Sequence, residues 1–462
     1  MSEVFDLAVI GAGPGGYTVA IRASQLGSSV VVIEKAVLGG VCLNWGCIPT
    51  KTIIESLKTM KKAREIATLS AEYTVTLEKL FQHKDTVVGN LRKGLETLFK
   101  AHKIAMMTGN ARLQDAKTIV VQEINSQDQR LLEARNIIIA TGSRPVALPV
   151  LKTDGRYIIN SDQIFNLAKQ PASVLIVGGG AIGCEFAQIF HDLGAQVHLA
   201  ELTPQLLPEA DEEIAKLLSL GMTRSGMKIY TGVSVEHITR VQDQSKVIFS
   251  NKEEITVDLI ISAVGRQANI ENLGLEKAGI AVDRGRIKVT KHLETTAKNI
   301  YAIGDCINGP MLAHKASYDA VIAAENIAGR EKQEADYAAL PKCIFTAPEI
   351  GMVGQREQEA KTAGAVKIGK FPFAALGKAQ AMGDTRGFVK VIAQAETGQI
   401  LGGHIIGPQA TELVNQVALA MANKMTAQQF AEVVFAHPTL SEAVKEAMED
   451  VDGRAISIAR KR

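Results

Sequence analysis

The feature that most constrains this chain is a glycine fingerprint that occurs twice. Gly11, Gly13 and Gly16 follow the apolar run Phe5 to Ile10 and lead into a helical pattern to about Leu26, then a second apolar run, Val30 to Ile33, and Glu34. Gly178, Gly180 and Gly183 repeat the arrangement after Val174 to Val177, ahead of a helical pattern, the run Gln196 to Ala200, and Glu201. Every matched position is displaced by 167 residues (11 to 178, 13 to 180, 16 to 183, 34 to 201). In a strand–turn–helix–strand unit, this spacing lets backbone approach a pyrophosphate and turns the helix N-terminus toward phosphate. The acid closing each unit suits a ribose hydroxyl. One such triplet in a chain with 40 glycines carries little weight. Two, each with its acid at the same offset, predict an α/β fold with two Rossmann-like dinucleotide-binding domains rather than two glycine-rich turns. Glu201 favours NAD over NADP, because a carboxylate repels a 2′-phosphate and Leu202 to Leu207 contains no arginine to receive one.

With 462 residues the chain has room for about three domains. Its 51 basic and 49 acidic residues leave a net charge of +2, no footprint for nucleic acid or an anionic membrane. The basic end, Ala459 to Arg462, reads as a solvated tail. No apolar run approaches the ~18 residues of a membrane span, and the N-terminus enters a strand pattern without a secretory or transit segment. A cytoplasmic protein is expected. Five cysteines, an odd and sparse set, do not make a secreted disulfide framework.

Two of them, Cys42 and Cys47, are separated by four residues in Gly39-Gly40-Val41-Cys42-Leu43-Asn44-Trp45-Gly46-Cys47-Ile48-Pro49-Thr50-Lys51. The stretch reads as a loop running straight into a helix. A thiol pair beside a nucleotide unit points to electrons moving between a disulfide and a cofactor. Structural zinc would need a second cysteine pair or clustered histidines, so no metal is expected. Pro49 suits a first helical turn, which puts Cys47 near the helix N-terminus. The dipole contributes about 0.3–2 kcal/mol. At ~1.36 kcal/mol per pH unit, that brings a thiol from ~8.5 to neutrality at best, so another group must help to hold a thiolate. Cys184, Cys306 and Cys343 read as buried small apolar residues.

The order of motifs resembles the pyridine nucleotide-disulfide oxidoreductases, and among them the dihydrolipoamide dehydrogenases. The fingerprint at 11–16 is followed by the cysteine pair, Ala140-Thr141-Gly142 after Ile137 to Ile139, and the fingerprint at 178–183. Thr295-Thr296 then leads into Ile300-Tyr301-Ala302-Ile303-Gly304-Asp305, and His437-Pro438-Thr439-Leu440-Ser441-Glu442 closes the series. The resemblance covers essentially the whole chain. It implies an FAD-binding domain of residues 1–145 and 270–338, an NAD-binding domain of residues 146–269, and a C-terminal α+β dimerisation domain of residues 340–462 that makes a homodimer. The apolar segment Leu413 to Ala422 suits an interface helix or an ordinary core helix. FAD would be bound by Gly11, Gly13, Gly16, Glu34, Lys51, Thr141, Gly142, Ser143, Asp305, Met311, Leu312, Ala313 and His314. NAD would be bound by Gly178, Gly180, Gly183, Glu185, Glu201, Val235 and Gly265.

The same resemblance implies that electrons pass from dihydrolipoamide to a Cys42–Cys47 disulfide, then to FAD, then as hydride to NAD. Cys42 would exchange with substrate and Cys47 would lie against the flavin in a charge-transfer complex. His437, oriented by Glu442, would deprotonate the substrate thiol in the other subunit's site, and Lys51 would pair with Glu185 near the flavin. Read alone, His437 suits a structural role and Lys51 a solvated one. Asp305, expected to end a strand, also suits a helix N-cap. Implied partners are lipoyl domains of a 2-oxo acid dehydrogenase or glycine-cleavage complex, and the implied process is cell redox homeostasis. The alternatives are an NADH-dependent reductase of another disulfide, or a flavoprotein with mainly a docking or sensing role. Glutathione-type reductases would want basic residues after Glu201, mercuric reductases a cysteine pair beyond Cys343, and soluble transhydrogenases and CoA-disulfide reductases lack one of the paired cysteines. Phe435 stands where the family often has histidine, and Trp45 has no reading from sequence.

Overall fold

The computed structural model describes residues 4–65, 75–124, 126, 128–330 and 333–459. Most of the basic tail, residues 460–462, lies outside them. The chain folds into two compact units.

The first unit comprises Met1–Leu148, Asn160–Gln170 and Gly265–Asp336. Its sheet has Val4–Ile10 at the centre, flanked by Val30–Glu34 and Gln129–Ile139, both parallel to it. Ala105–Leu113 extends the sheet beyond Val30–Glu34, and Ile300–Ala302 extends it beyond Gln129–Ile139. The central strands are buried on both faces, as a parallel sheet covered by helices requires. The far ends of Ala105–Leu113 and Gln129–Ile139 pair antiparallel with Thr118–Glu123 instead. Helices Pro14–Gln25 and Ala313–Ile327 pack together, joined by an Arg22–Glu325 ion pair at 2.5 Å. Helices Cys47–Glu65 and Leu77–Ala101 complete the unit. The apolar core runs from the sheet into Leu273, Leu275, Ile280 and Ile287 of the late segment.

The second unit comprises Pro149–Ile159, Pro171–Val264 and Tyr337–Arg462. Lys228–Thr231, Gln196–Glu201, Ser173–Val177 and Leu259–Ser262 form a parallel sheet in that order, with Ile158–Asn160 at its edge. Helix Ala181–Asp192 follows the second fingerprint. A small antiparallel sheet, Val235–Val241, Gln244–Phe249 and Glu254–Val257, adds a core around Val247 and Phe249. The C-terminal part holds a five-stranded antiparallel sheet, ordered Lys342–Ile344, Glu349–Gly354, Ile400–Gly407, Phe388–Gln394, Val366–Pro372. Helices Ala410–Ala422 and Glu442–Asp450 cover its core.

Three local expectations are corrected. Cys42 lies not in a loop but in a one-turn helix, Gly40–Asn44, which Trp45 ends by donating its N–H to the Val41 carbonyl at 3.0 Å. Asp305 does not end a strand: the strand stops at Ala302, and Asp305 is the middle of a 3-10 turn, Gly304–Cys306, entered through Gly304 at φ +73°. Cys184 and Cys306 are buried, but Cys343 is half-buried on the edge strand Lys342–Ile344.

Candidate active site and dinucleotide sites

The two fingerprints fold alike in atomic detail. Gly11 and Gly178 each donate their N–H at 2.8 Å to the end of the neighbouring strand, to Ile33 and Ala200. Each has positive φ, +103° and +109°, and an added Cβ would lie 2.4 Å from a carbonyl, Ala140 or Ala263. A Cβ on Gly16 would lie 1.9 Å from the Gly11 carbonyl, and one on Gly183 would lie 1.8 Å from the Gly178 carbonyl. Only glycine fits these four positions, which is the physical content of the motif.

The closing acids also match. Glu34 Oε2 accepts from the Ala12 N–H and Oε1 from the Ala36 N–H, both at 2.8 Å. Glu201 Oε2 accepts from the Gly179 N–H at 2.6 Å and Oε1 from the Thr203 N–H at 2.8 Å. Both carboxylates therefore tie the glycine turn to the chain beyond the second strand. A carboxylate oxygen has more than one lone pair, so capacity for a ribose hydroxyl remains.

The correspondence extends to residues whose pairing the sequence did not reveal. Ala140 and Ala263 each donate at 2.8 Å to the first strand of their unit, to Ile10 and Val177. Gly142 and Gly265, two residues later in each case, both have positive φ.

Room for ligands is visible at both turns. Helices Pro14–Gln25 and Ala181–Asp192 start at Gly13 and Gly180 with no side-chain cap and no acid in the first turn. A Cβ on Gly180 would meet nothing within 4 Å, and one on Gly13 only the Gly40 backbone at 3.9 Å. Uncapped helix N-termini facing open space fit the phosphates of FAD and of NAD. Of the other residues expected at FAD, Thr141, Gly142 and Ser143 follow the strand Gln129–Ile139 and Asp305 follows Ile300–Ala302. Thr141 Oγ1 donates to the Asn269 carbonyl at 2.6 Å, and the Asn269 N–H donates to the Gly142 carbonyl at 2.9 Å. Ser143 Oγ donates to Asp305 Oδ2 at 2.6 Å and in turn accepts from Arg266 Nε at 2.9 Å. Arg266 also reaches Asp162 at 2.9 Å. Asp305 is therefore held by Ser143 and does not cap a helix. Met311 and Leu312 lead into Ala313–Ile327, whose N-cap, Leu312, makes no side-chain capping hydrogen bond. In the second unit Glu185 is buried and accepts from the Phe345 N–H at 3.0 Å. Val235, expected at NAD, is 9% exposed and packs within the small apolar core.

The thiols are side by side. The Cys42 thiol is pushed up, first by its hydrogen bond with Cys47 and then by burial, while the charge of Lys51 pulls the other way. Tyr17, in the first turn of Pro14–Gln25, is near both: burial raises its phenol, and the charges of Cys42 and Cys47 raise it further. Cys47 is the first residue of Cys47–Glu65, as the sequence suggests for a thiol at a helix N-terminus. Asn44, between the cysteines, pins the turn. Its amide donates to the Leu38 and Gly40 carbonyls at 3.0 and 2.9 Å, and its oxygen accepts from Arg92 at 2.6 Å. The sequence carried no signal for Asn44–Arg92, an interaction across 48 residues. Beside this turn a cavity of about 600 Å³ opens between Cys47–Glu65 and Leu77–Ala101, lined by Ile48, Lys51, Thr52, His83, Val87 and Leu91. Of these the sequence indicated only Lys51.

His437 and Glu442 come together in the second unit. His437 Nδ1 is 2.9 Å from Glu442 Oε1, and Glu442 Oε2 accepts from the Thr439 N–H at 2.8 Å. Burial raises the Glu442 carboxyl, but hydrogen bonds from Thr439 and His437, and the charges of His437 and Lys445, outweigh it and hold the group below its usual range. With Nδ1 engaged, the exposed imidazole has Nε2 for proton transfer. Phe435, two residues earlier, is partly buried and packs against the apolar core on Phe430, with ring centroids 5.4 Å apart.

Among the described residues no helix is long and apolar enough to cross a membrane. Residues 5–320 match the family described as pyridine nucleotide-disulphide oxidoreductase, and residues 340–448 match its dimerisation domain. The chain is 40% identical to a dihydrolipoyl dehydrogenase of Bacillus subtilis, covering 99% of this chain and 100% of the relative. It is 41% identical to one of Thermus scotoductus, covering 99% of each. Among solved structures, LpdA from Mycobacterium tuberculosis superposes with a TM-score of 0.91 at 26% identity, covering 96% of this chain and 99% of that one. The flavoprotein disulfide reductase RclA from Escherichia coli, solved as a Cu(II) complex, gives 0.88 at 29%, covering 97% and 99%. With its two nucleotide turns, paired thiols and C-terminal module all matched, the chain belongs to the pyridine nucleotide-disulphide oxidoreductase family.

Proposed function

We propose that this chain oxidises protein-bound dihydrolipoamide to lipoamide with NAD as final acceptor and FAD between. The observation that carries the reading is the Cys42–Cys47 pair, hydrogen-bonded side by side at a helix N-terminus next to a dinucleotide turn. Near 40% identity to dihydrolipoyl dehydrogenases over almost the whole length supports the substrate. When bound, FAD and NAD supply two-electron transfer that ends in a hydride on NAD.

The chain's own residues do the rest. In the oxidised enzyme Cys42 and Cys47 share a disulfide. His437 takes a proton at Nε2 from one substrate thiol while Glu442 holds Nδ1 and stabilises the cation. The substrate thiolate attacks the Cys42 sulfur, and the Cys42–Cys47 bond breaks with its electron pair on Cys47. The second substrate thiol displaces Cys42 as lipoamide closes, so two electrons have moved to the cysteine pair. The cavity beside Ile48 suits a slender, largely apolar dithiolane arm. Lys51 and Glu185 would each serve the electron transfer that FAD supplies. Residues 1–145 with 270–338 hold FAD, residues 146–269 hold NAD, and residues 340–462 join two copies so that His437 serves the partner's thiols. The setting is cytoplasmic, with lipoyl domains of a 2-oxo acid dehydrogenase or glycine-cleavage complex as partners.

The test is NADH formation by FAD-loaded protein given dihydrolipoamide and NAD, expected to be rapid and unsupported by NADP. A second reading, reduction of another disulfide by NADH, draws on the likeness to RclA. It replaces the first if dihydrolipoamide gives no turnover while NADH still reduces the flavin.

A further inference from the structure

The first unit contains an ion pair for which the proposed reaction has no use. Lys315 and Asp319, one turn apart on Ala313–Ile327, are both 0% exposed, with Nζ and Oδ2 2.9 Å apart. Burying two charges costs several kcal/mol each, and apolar residues of similar shape are often as stabilising. The retention of such a pair therefore calls for a reason other than fold stability.

Both partners grip one residue. Lys315 Nζ donates to the Gly304 carbonyl at 3.0 Å, and the Gly304 N–H donates to Asp319 Oδ2 at 3.0 Å. Hydrogen bonds with one charged partner are roughly twice as strong as neutral ones. Gly304 lies at φ +73°, and the peptide carrying its carbonyl is the bond to Asp305. Fixing that carbonyl therefore fixes the plane from which Asp305 projects. From the other side, Ser143 engages one carboxylate oxygen of Asp305, and Arg266 engages Ser143. Asp305 is thus set at both its backbone and its side chain, which leaves Oδ1 aimed by the frame.

We propose that Lys315 and Asp319 are positioning residues for the flavin cofactor: by clamping Gly304 they aim the Asp305 carboxylate at a hydroxyl of the polyol chain of FAD. The inference rests on the reading of Asp305 as an FAD ligand. A polyol hydroxyl is the fitting partner because a carboxylate accepts hydrogen bonds and repels phosphate.

The experiment is a double-mutant cycle on the full-length chain, stripped of flavin and titrated with FAD while flavin fluorescence is followed. Lys315→Met with Asp319→Leu is expected to weaken FAD binding at least tenfold while the thermal midpoint of the stripped chain stays close to wild type. In an Asp305→Ala background the same pair of changes is expected to cost less than twofold, because the residue being aimed is gone. An equal loss in both backgrounds overturns the inference, since the clamp would then act on the fold at large. So does a variant that binds FAD as wild type does. A wild-type chain that takes up no FAD overturns the inference together with the reading beneath it. Should the double replacement fail to fold, Lys315→Arg keeps the charge but displaces the donor, and the same cycle with it decides by the same criteria.

Discussion

Replacing Glu442 by Gln tests the proton-transfer pair with almost no change in shape. The carboxylate accepts from two donors, His437 at 2.9 Å and the Thr439 N–H at 2.8 Å. An amide has one acceptor oxygen and one donor nitrogen, so it can satisfy only one of them. The larger effect is loss of charge beside the imidazolium. Two unit charges about 4 Å apart interact by ~1 kcal/mol in bulk water and ~4 kcal/mol at an effective dielectric near 20. The side chains are 77% and 22% exposed, which places the pair near the watery end, at about 1–2 kcal/mol. At ~1.36 kcal/mol per tenfold, kcat for dihydrolipoamide should fall roughly five- to thirtyfold. KM for NAD should not move. His437→Gln, which removes the proposed base, should lose about 10²–10⁴-fold. The assay is steady-state NADH formation at saturating dihydrolipoamide. An E442Q enzyme within twofold of wild type, or one as impaired as the His437 variant, would refute the assignment of an orienting, charge-stabilising role.

Four other outcomes are expected. Lys390, 2% exposed, holds Asp211, Glu357 and Glu213 at 2.8, 2.7 and 2.5 Å, so Lys390→Met strands the fully buried Asp211 carboxylate and should cost about 3–5 kcal/mol in urea unfolding; a loss under ~1 kcal/mol would contradict it. Burial, helped by the charge of Lys228, pushes His198 from 6.5 down to about 4, so the unfolded chain takes its proton first and stability falls as pH drops from ~6.5 toward 4. At about pH 5 the cost is roughly 2 kcal/mol, and His198→Gln should remove that much of the difference between neutral and acid stability; an unchanged difference counts against the assignment. Gly183→Ala puts a Cβ 1.8 Å from the Gly178 carbonyl and should disrupt both folding and NAD binding. Gly180→Ala, with nothing within 4 Å, should keep the thermal midpoint yet weaken NAD binding by calorimetry, and NAD binding at wild-type strength would show that no phosphate sits there.

What the sequence made legible was whatever backbone geometry imposes locally. The fingerprint glycines are readable because a side chain would collide with named carbonyls, and the strands around them because burial on both faces demands continuous apolar runs. The one-turn helix around Cys42 was not readable, being only five residues long and pinned from outside by Arg92. Arg266 and Lys315 were missed for a related reason: each acts through a hydrogen bond to a distant loop, and no periodicity announces such a bond.

The deeper repeat explains where the chemistry lives. The fingerprints are offset by 167 residues, but the alanines after the third shared strand are offset by 123 (140 to 263), as are the glycines beyond them (142 to 265). The first copy therefore carries 44 more residues (167 less 123) between its acid and that strand. In that interval lie Gly40–Asn44, Cys47–Glu65 and Leu77–Ala101: the thiols, the helix that presents them and the cavity beside them. Where the first copy has them, ahead of the strand Ala105–Leu113, the second has a single helix, Glu212–Arg224, ahead of Lys228–Thr231, and no cysteine. Two near-identical nucleotide scaffolds thus differ where one of them must also handle sulfur, and the unequal offsets mark that difference in the sequence itself.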